Sequence, residues 1–128
     1  MIQEDKELIF KELCARLPYH VKCKIWLKDG TTEEGLLDLQ HNYGDVLQDA
    51  FYYNKIKDIK PYLFPLSSMT EEEKEKYCQL QQKVIYNSKG VVNEDVTKYI
   101  NWCYKKHLDI NNLIPMELAI DATGLNIY

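Results

Sequence analysis

At 128 residues the chain has room for one domain around one core, and its 45% hydrophobic and 28% charged residues are proportions of a folded globular protein rather than a disordered one. A net charge of −4, from 16 basic and 20 acidic residues, withholds the cationic excess on which general duplex binding depends. Residues 1–7 are acidic without an apolar signal region, and no apolar run approaches the ~20 residues that cross a bilayer, so the expected setting is cytoplasmic with no membrane partner.

Ten Tyr and two Trp are many for so short a chain. Large rings either fill a small core or build a binding surface, and filling the core is the simpler expectation. The four cysteines, Cys14, Cys23, Cys78 and Cys103, are widely spaced with no C-x-x-C pair. Each falls in an apolar-periodic stretch, where a reduced thiol packs as a small hydrophobe.

The first element is a helix over 3–17, with Ile9, Phe10, Leu13, Cys14 and Leu17 at helical spacing. Glu4, Asp5 and Glu7 complement its positive end, and Pro18 stops it. The period then changes. Val21, Cys23, Ile25 and Leu27 alternate with Lys22, Lys24, Trp26 and Lys28, the pattern of a half-buried strand. Asp29-Gly30 signals a turn into a second strand over 35–40. A two-residue loop would set Ile25 against Glu34 and Val21 against Asp38, carboxylates on the buried face. A loop with an odd number of residues pairs Cys23 with Leu37, Val21 with Leu39, Ile25 with Gly35 and Lys22 with Asp38, and burial favours it.

A loop at 41–45, a third strand at 46–53 and a fourth at 56–63 follow, with Pro61 expected to confine the fourth to an edge or an end. Thr70 with Glu73 forms a capping box opening a helix that ends near Ile85. After a loop at 87–90, Asn93 caps a helix over 94–108 with Val96, Tyr99, Ile100, Cys103 and His107 on one face. Asp109 begins a turn, Pro115 punctuates it, and Leu118, Ile120 and Ala122 read as a short last strand closing the sheet. The fold class is therefore α+β: an N-terminal helix, a small twisted antiparallel sheet or partial barrel of three to five strands, then two helices and a short terminal strand, all in one domain spanning 1–128.

Three segments resemble a known group: the run from Ile59 through Pro61-Tyr62-Leu63-Phe64-Pro65 to Glu73, the run from Trp102 through His107-Leu108-Asp109-Ile110 to Ile120, and Arg16-Leu17-Pro18-Tyr19. They are similar to uncharacterised small proteins encoded by phages and prophages of gut Bacteroidetes-type bacteria. The resemblance implies a phage-related accessory protein acting in a bacterial cytoplasm. It brings no catalytic residue and no cofactor.

Cys103 and His107, at i and i+4, have the spacing of paired zinc ligands, and Cys78 could add a thiolate. Structural zinc sites bring ligands as close pairs from tight turns, so packing is the better expectation for all three, and neither metal nor cofactor is expected. No glycine belongs to a phosphate-binding loop, and no cysteine or acidic pair sits in a catalytic motif, so a non-catalytic protein is expected.

The strongest binding feature is the outer face of the first strand, where Lys22, Lys24, Trp26 and Lys28 share a side and Arg16 precedes them. A ring flanked by ammonium groups on a small sheet suits stacking plus phosphate contacts. Against this, residues 29–49 hold six carboxylates and no Lys or Arg, and strand pairing would set them against the lysines. The function expected first is binding of a host or phage protein through aromatic-rich surface. Its rival is a nucleotide or short single-stranded nucleic-acid binder, for instance one sequestering a signalling nucleotide during phage defence. That rival requires Trp26 and nearby lysines to converge on a pocket, within one copy or across a homo-oligomer interface.

Overall fold

A computed structural model describes residues 3–37, 56–85 and 93–128. In chain order these form helix α1 (Gln3–Arg16), a 3-10 turn (Leu17–Tyr19), strands β1 (Val21–Leu27), β2 (Thr32–Leu37) and β3 (Ile56–Leu63), a second 3-10 turn (Leu66–Ser68), helices α2 (Glu71–Ile85) and α3 (Asn93–Lys105), and a two-residue strand β4 (Ile120–Asp121). The α+β class and the order of helix, sheet, two helices and short last strand are as expected. The strand expected at 46–53 and the loops expected at 41–45 and 87–90 lie outside the described residues.

The inner face of α1 differs from the apolar spacing. Ile9, Glu12, Leu13 and Arg16 are the buried residues, at i, i+3, i+4 and i+7, whereas Cys14 is exposed. Two ionised residues can share an inner stripe because they neutralise one another. Arg16 Nε donates to Glu12 Oε1 at 2.7 Å, and Arg16 Nη2 donates to the Leu108 carbonyl at 2.6 Å. Asn111 Nδ2 adds a bond to Glu12 Oε2 at 2.7 Å, so the pair ties α1 to the turn after α3.

The sheet has the order β2-β1-β3-β4. The first three strands are antiparallel, and β4 adds in parallel to β3 through Tyr62↔Ile120 and Leu63↔Asp121. A parallel neighbour needs a long crossover, which α2 and α3 provide. Pro61 sits inside β3 opposite Cys23, so the expectation that it confines its strand to an edge or an end is corrected. Its missing N–H costs no ladder bond toward β4, because that strand reaches β3 only from Tyr62 onward.

The hairpin loop has the odd length that burial demands but is centred one residue earlier than expected. Leu27 N–H donates to the Thr31 carbonyl at 2.9 Å and Gly30 N–H to the Leu27 carbonyl at 3.1 Å, leaving Lys28-Asp29-Gly30 as the loop. Asp29 Oδ1 accepts from the Thr31 N–H at 2.9 Å and from its hydroxyl at 2.6 Å, and Gly30 takes a φ of 91°, which glycine adopts without strain. The register is therefore Val21↔Leu37, Lys22↔Leu36, Cys23↔Gly35, Lys24↔Glu34 and Ile25↔Glu33. Every partner is two residues from the expected one, and Lys22 faces Leu36 rather than Asp38. Glu33 opposite Ile25 escapes the burial penalty because it lies near the open tip and is exposed.

Thr70 and Glu73 close the expected capping box: Glu73 Oε1 accepts from the Thr70 N–H at 3.0 Å, and Thr70 Oγ1 accepts from the Glu73 N–H at 3.2 Å. Helix α3 stops at Lys105, short of the expected 108. His107 N–H donates to the Tyr104 carbonyl at 2.9 Å and Leu108 N–H to the Cys103 carbonyl at 3.0 Å, with His107 in the left-handed region at φ 57°. That is a Schellman turn with histidine where glycine is usual.

Ile9 and Leu13 of α1 pack on Val21, Cys23, Ile25, Ile59 and Leu63, with Leu113, Leu118 and Ala119 completing this core. Met69, Cys103 and Leu108 form a second cluster with Tyr77, Tyr99 and Trp102 around it. Tyr77 stands 5.7 Å from Tyr99 and 6.5 Å from Trp102, ring to ring, so these half-buried aromatics join α2 to α3. No helix among the described residues is long and apolar enough to cross a membrane.

Candidate functional site

Alternation along a strand leaves β1 with Val21, Cys23 and Ile25 inward and Lys22, Lys24 and Trp26 on the other face. On that second face β3 contributes Lys60 and Tyr62, and β2 contributes Glu34. Lys24 and Lys60 are direct cross-strand partners. Like charges in this relation destabilise a ladder. Both ammonium groups lean over the same indole, Lys24 Nζ at 5.4 Å and Lys60 Nζ at 5.7 Å from the Trp26 ring centre. Each such contact contributes about 0.5–1 kcal/mol at an exposed site. A register shift between Trp26 and Leu27, where Ile56 follows Asp58 as the β3 partner, marks a bulge beside the indole. Bulges of this kind re-aim a neighbouring side chain.

Glu34 lies across from Lys24 and Asp58 across from Trp26, so two carboxylates meet the patch. Asp58 Oδ1 accepts from the Ile59 N–H at 2.8 Å, and Glu34 is engaged by a tyrosine. Glu34 accepts the Tyr62 hydroxyl at 2.6 Å, and burial together with this carboxylate pushes the phenol up to about 12. The row Glu34–Lys24–Lys60 has one positive charge in excess, and Asp58 opposite Trp26 offsets it across the face as a whole. Asp38, Asp45 and Asp49 lie outside the described residues.

A shallow cleft of about 660 Å³ is lined by Lys24, Trp26, Lys60, Tyr62 and Ile120 from the sheet and by Ile114, Glu117 and Leu125 from the segments before and after β4. It offers one large π-face, two mobile cations and a carboxylate. Lys60, Tyr62 and Glu117 were not singled out in the sequence. Alternation within β3 could have placed Lys60 and Tyr62 together, but only the β1–β3 register brings them to Trp26.

The other expected members are dispersed. Arg16 is fully buried beside Glu12 with its guanidinium 4.6 Å from the Tyr104 ring centre, so it is a structural cation and not part of the face. Lys22 donates through Nζ to the Ile127 carbonyl. Lys28 is exposed in the hairpin loop, away from the cleft.

A second cleft, of about 500 Å³, lies near the end of α3. The His107 ring stacks on Tyr128 at 3.7 Å with 12° between planes. Burial, with Arg16 and His20 nearby, lowers the His107 pKa to about 4. Its Nδ1 is buried without a hydrogen-bond partner among the described residues. The Tyr128 hydroxyl donates to the Tyr62 carbonyl at 2.7 Å and accepts from the Lys22 N–H at 2.9 Å, bridging β3 and β1 where their ladder opens.

The cysteine–histidine grouping does not assemble. Leaving the helix at His107 removes its ring from the face that carries Cys103, and Cys78 is exposed on α2. Among the described residues no three His, Cys, Asp or Glu side chains converge on a common point. Burial raises Cys23 to about 12 and Cys103 to about 11, so both are protonated at neutral pH. The expectation that all four cysteines pack inside is corrected: Cys23 and Cys103 are buried, Cys14 and Cys78 exposed. Set against family models, curated proteins and solved structures, the chain matches none of them.

Proposed function

We propose that the protein is a non-catalytic binder whose Trp26 cleft takes a nucleotide or the end of a single-stranded nucleic acid. One observation supports this above the rest: Lys24 and Lys60 oppose each other across the ladder and both reach over the Trp26 ring. A base stacking on the indole with its phosphate between the ammonium groups would use the ring and offset the like-charge repulsion at once. The acidic net charge does not oppose this, because a mononucleotide needs only two or three local cations and no extended basic stripe. A role in a bacterial cytoplasm, of the phage-related accessory kind that the sequence resemblance implies, fits a small binder without reactive groups.

The test is calorimetric titration with mononucleotides and a short oligonucleotide at low ionic strength. Binding that weakens with added salt is expected. Trp26→Ala should weaken it by roughly 5- to 150-fold, the range for one stacked base, and Lys24→Ala with Lys60→Ala should remove most of the salt dependence. Absence of binding, or variants that bind as wild type, would discard this reading.

A second reading, a host or phage protein as partner, has its own support in the apolar wall. Leu125, which lines the cleft, is 51% exposed, and Met116, beside Glu117 in the chain, is 48% exposed. It predicts that Leu125→Glu abolishes complex formation while nucleotides leave the melting temperature unchanged.

A further inference from the structure

Glu117 holds a backbone conformation that glutamate avoids, at the edge of the cleft. Its φ is 61°, its N–H donates to the Ile114 carbonyl at 3.0 Å, and the following Leu118 N–H donates to the Leu113 carbonyl at 3.0 Å. This is the glycine position of a Schellman turn. A glycine there would close the same two backbone bonds without the steric penalty of a Cβ. The side chain is therefore not needed for the turn. It lines the same cleft as Lys24, Trp26 and Lys60. His20, His107, Asn112 and Asn126 also have positive φ, so the conformation alone marks no site; Glu117 is the one of these five that lines the Trp26 cleft.

On the reading that this cleft holds a nucleotide, we infer that Glu117 makes it select guanine. A carboxylate only accepts hydrogen bonds and can accept two in parallel. Among the bases, guanine presents two adjacent donors on its pairing edge, the ring N1–H and the exocyclic N2 amine. Adenine and cytosine place an acceptor nitrogen beside their single amine, and that lone pair would face the carboxylate. Uracil offers one N–H between two carbonyl oxygens. With the base stacked on Trp26 and the phosphate at Lys24 and Lys60, the pairing edge is the part left for the remaining polar group of the lining, Glu117, to read. Of the two carboxylates on the sheet face, Glu34 accepts the Tyr62 hydroxyl and Asp58 accepts from the Ile59 N–H, and neither lines the cleft.

The experiment compares GMP, IMP and AMP by calorimetry on the full chain and on Glu117→Gly and Glu117→Gln. Wild type is expected to bind GMP roughly 10- to 100-fold more tightly than AMP, the discrimination given by one bidentate base contact. IMP, which keeps N1–H but lacks the N2 amine, should fall between them. In Glu117→Gly, GMP affinity should drop to the AMP level while the melting temperature stays level or rises, showing that the loss is not unfolding. Glu117→Gln keeps the strained turn and should lose the same preference. If GMP and AMP bind wild type equally, and Trp26→Ala weakens both, the guanine assignment fails and the nucleotide reading stands. Preference that persists in both variants also overturns Glu117 as its source. If none of the three binds, both inferences fall together.

Discussion

Arg16 and the Lys24–Lys60 pair are both cationic features near the start of the sheet, and they are used in opposite ways. Arg16 is enclosed: a carboxylate at 2.7 Å, a carbonyl at 2.6 Å and a tyrosine ring surround its guanidinium. Lys24 and Lys60 face each other instead, half-exposed, with an aromatic ring as their common neighbour. A buried charge is stable only when its partners are supplied by the fold, and this commits it to structure. A charge left at a cleft with a like charge opposite remains available to a ligand. Basic residues in one stretch of sequence thus separate into a structural cation and candidate binding groups.

The sharpest way to break this comparison is Arg16→Met. If Arg16 is structural, the variant leaves Glu12 buried without its cation and loses about 3–5 kcal/mol, read by urea denaturation. Glu12→Gln in the same chain should recover part of the loss. Stability close to wild type would return Arg16 to the list of surface groups.

Tyr128→Phe probes the boundary between the two clefts with a smaller effect. Removing the hydroxyl leaves the Lys22 N–H and the Tyr62 carbonyl to water, a loss of about 0.5–1.5 kcal/mol in the same assay. The β1–β3 face below it should then bind more weakly through disorder, with chemistry unchanged.

His107 gives the smallest effect and fixes a sign. Its folded pKa, about 4, lies below the ordinary value of 6.5, so the unfolded chain takes up the proton first. The stability associated with the neutral ring is complete above pH 6.5 and is lost as pH falls toward 4. His107→Asn, which tolerates the left-handed conformation, should show a shallower fall in melting temperature between pH 7 and pH 4.5 than wild type. Equal slopes would mean that the ring is solvated.

Much of the fold was legible because local rules and burial agreed. The Thr70–Glu73 box opened α2 where its spacing says, and the alternation from Val21 to Leu27 fell on a strand with Val21, Cys23 and Ile25 buried. The odd parity of the hairpin followed from keeping Glu34 off the inner face, Glu33 being tolerated there only at the exposed tip. The pairing register did not, since registers two residues apart bury the same side of each strand. Asp29, by bonding to Thr31, centred the loop one residue early. Of the expected face, Lys24 and Trp26 come together. Arg16, Lys22 and Lys28 go elsewhere, because helix rotation, the 122–128 segment and the loop position them.

Periodicity, capping and turn chemistry act over a few residues, so the amino-acid order alone determined the helices, the first hairpin and the α+β class. Which cations meet was decided by contacts remote in sequence: Arg16 with Leu108, Lys24 with Lys60, and Glu117 in the same cleft as both lysines. Interactions of this kind depend on distances of a few ångströms between elements whose separation along the chain says nothing about their approach. Only the packed structure turns a scattered set of lysines, a tryptophan and a glutamate into one cleft.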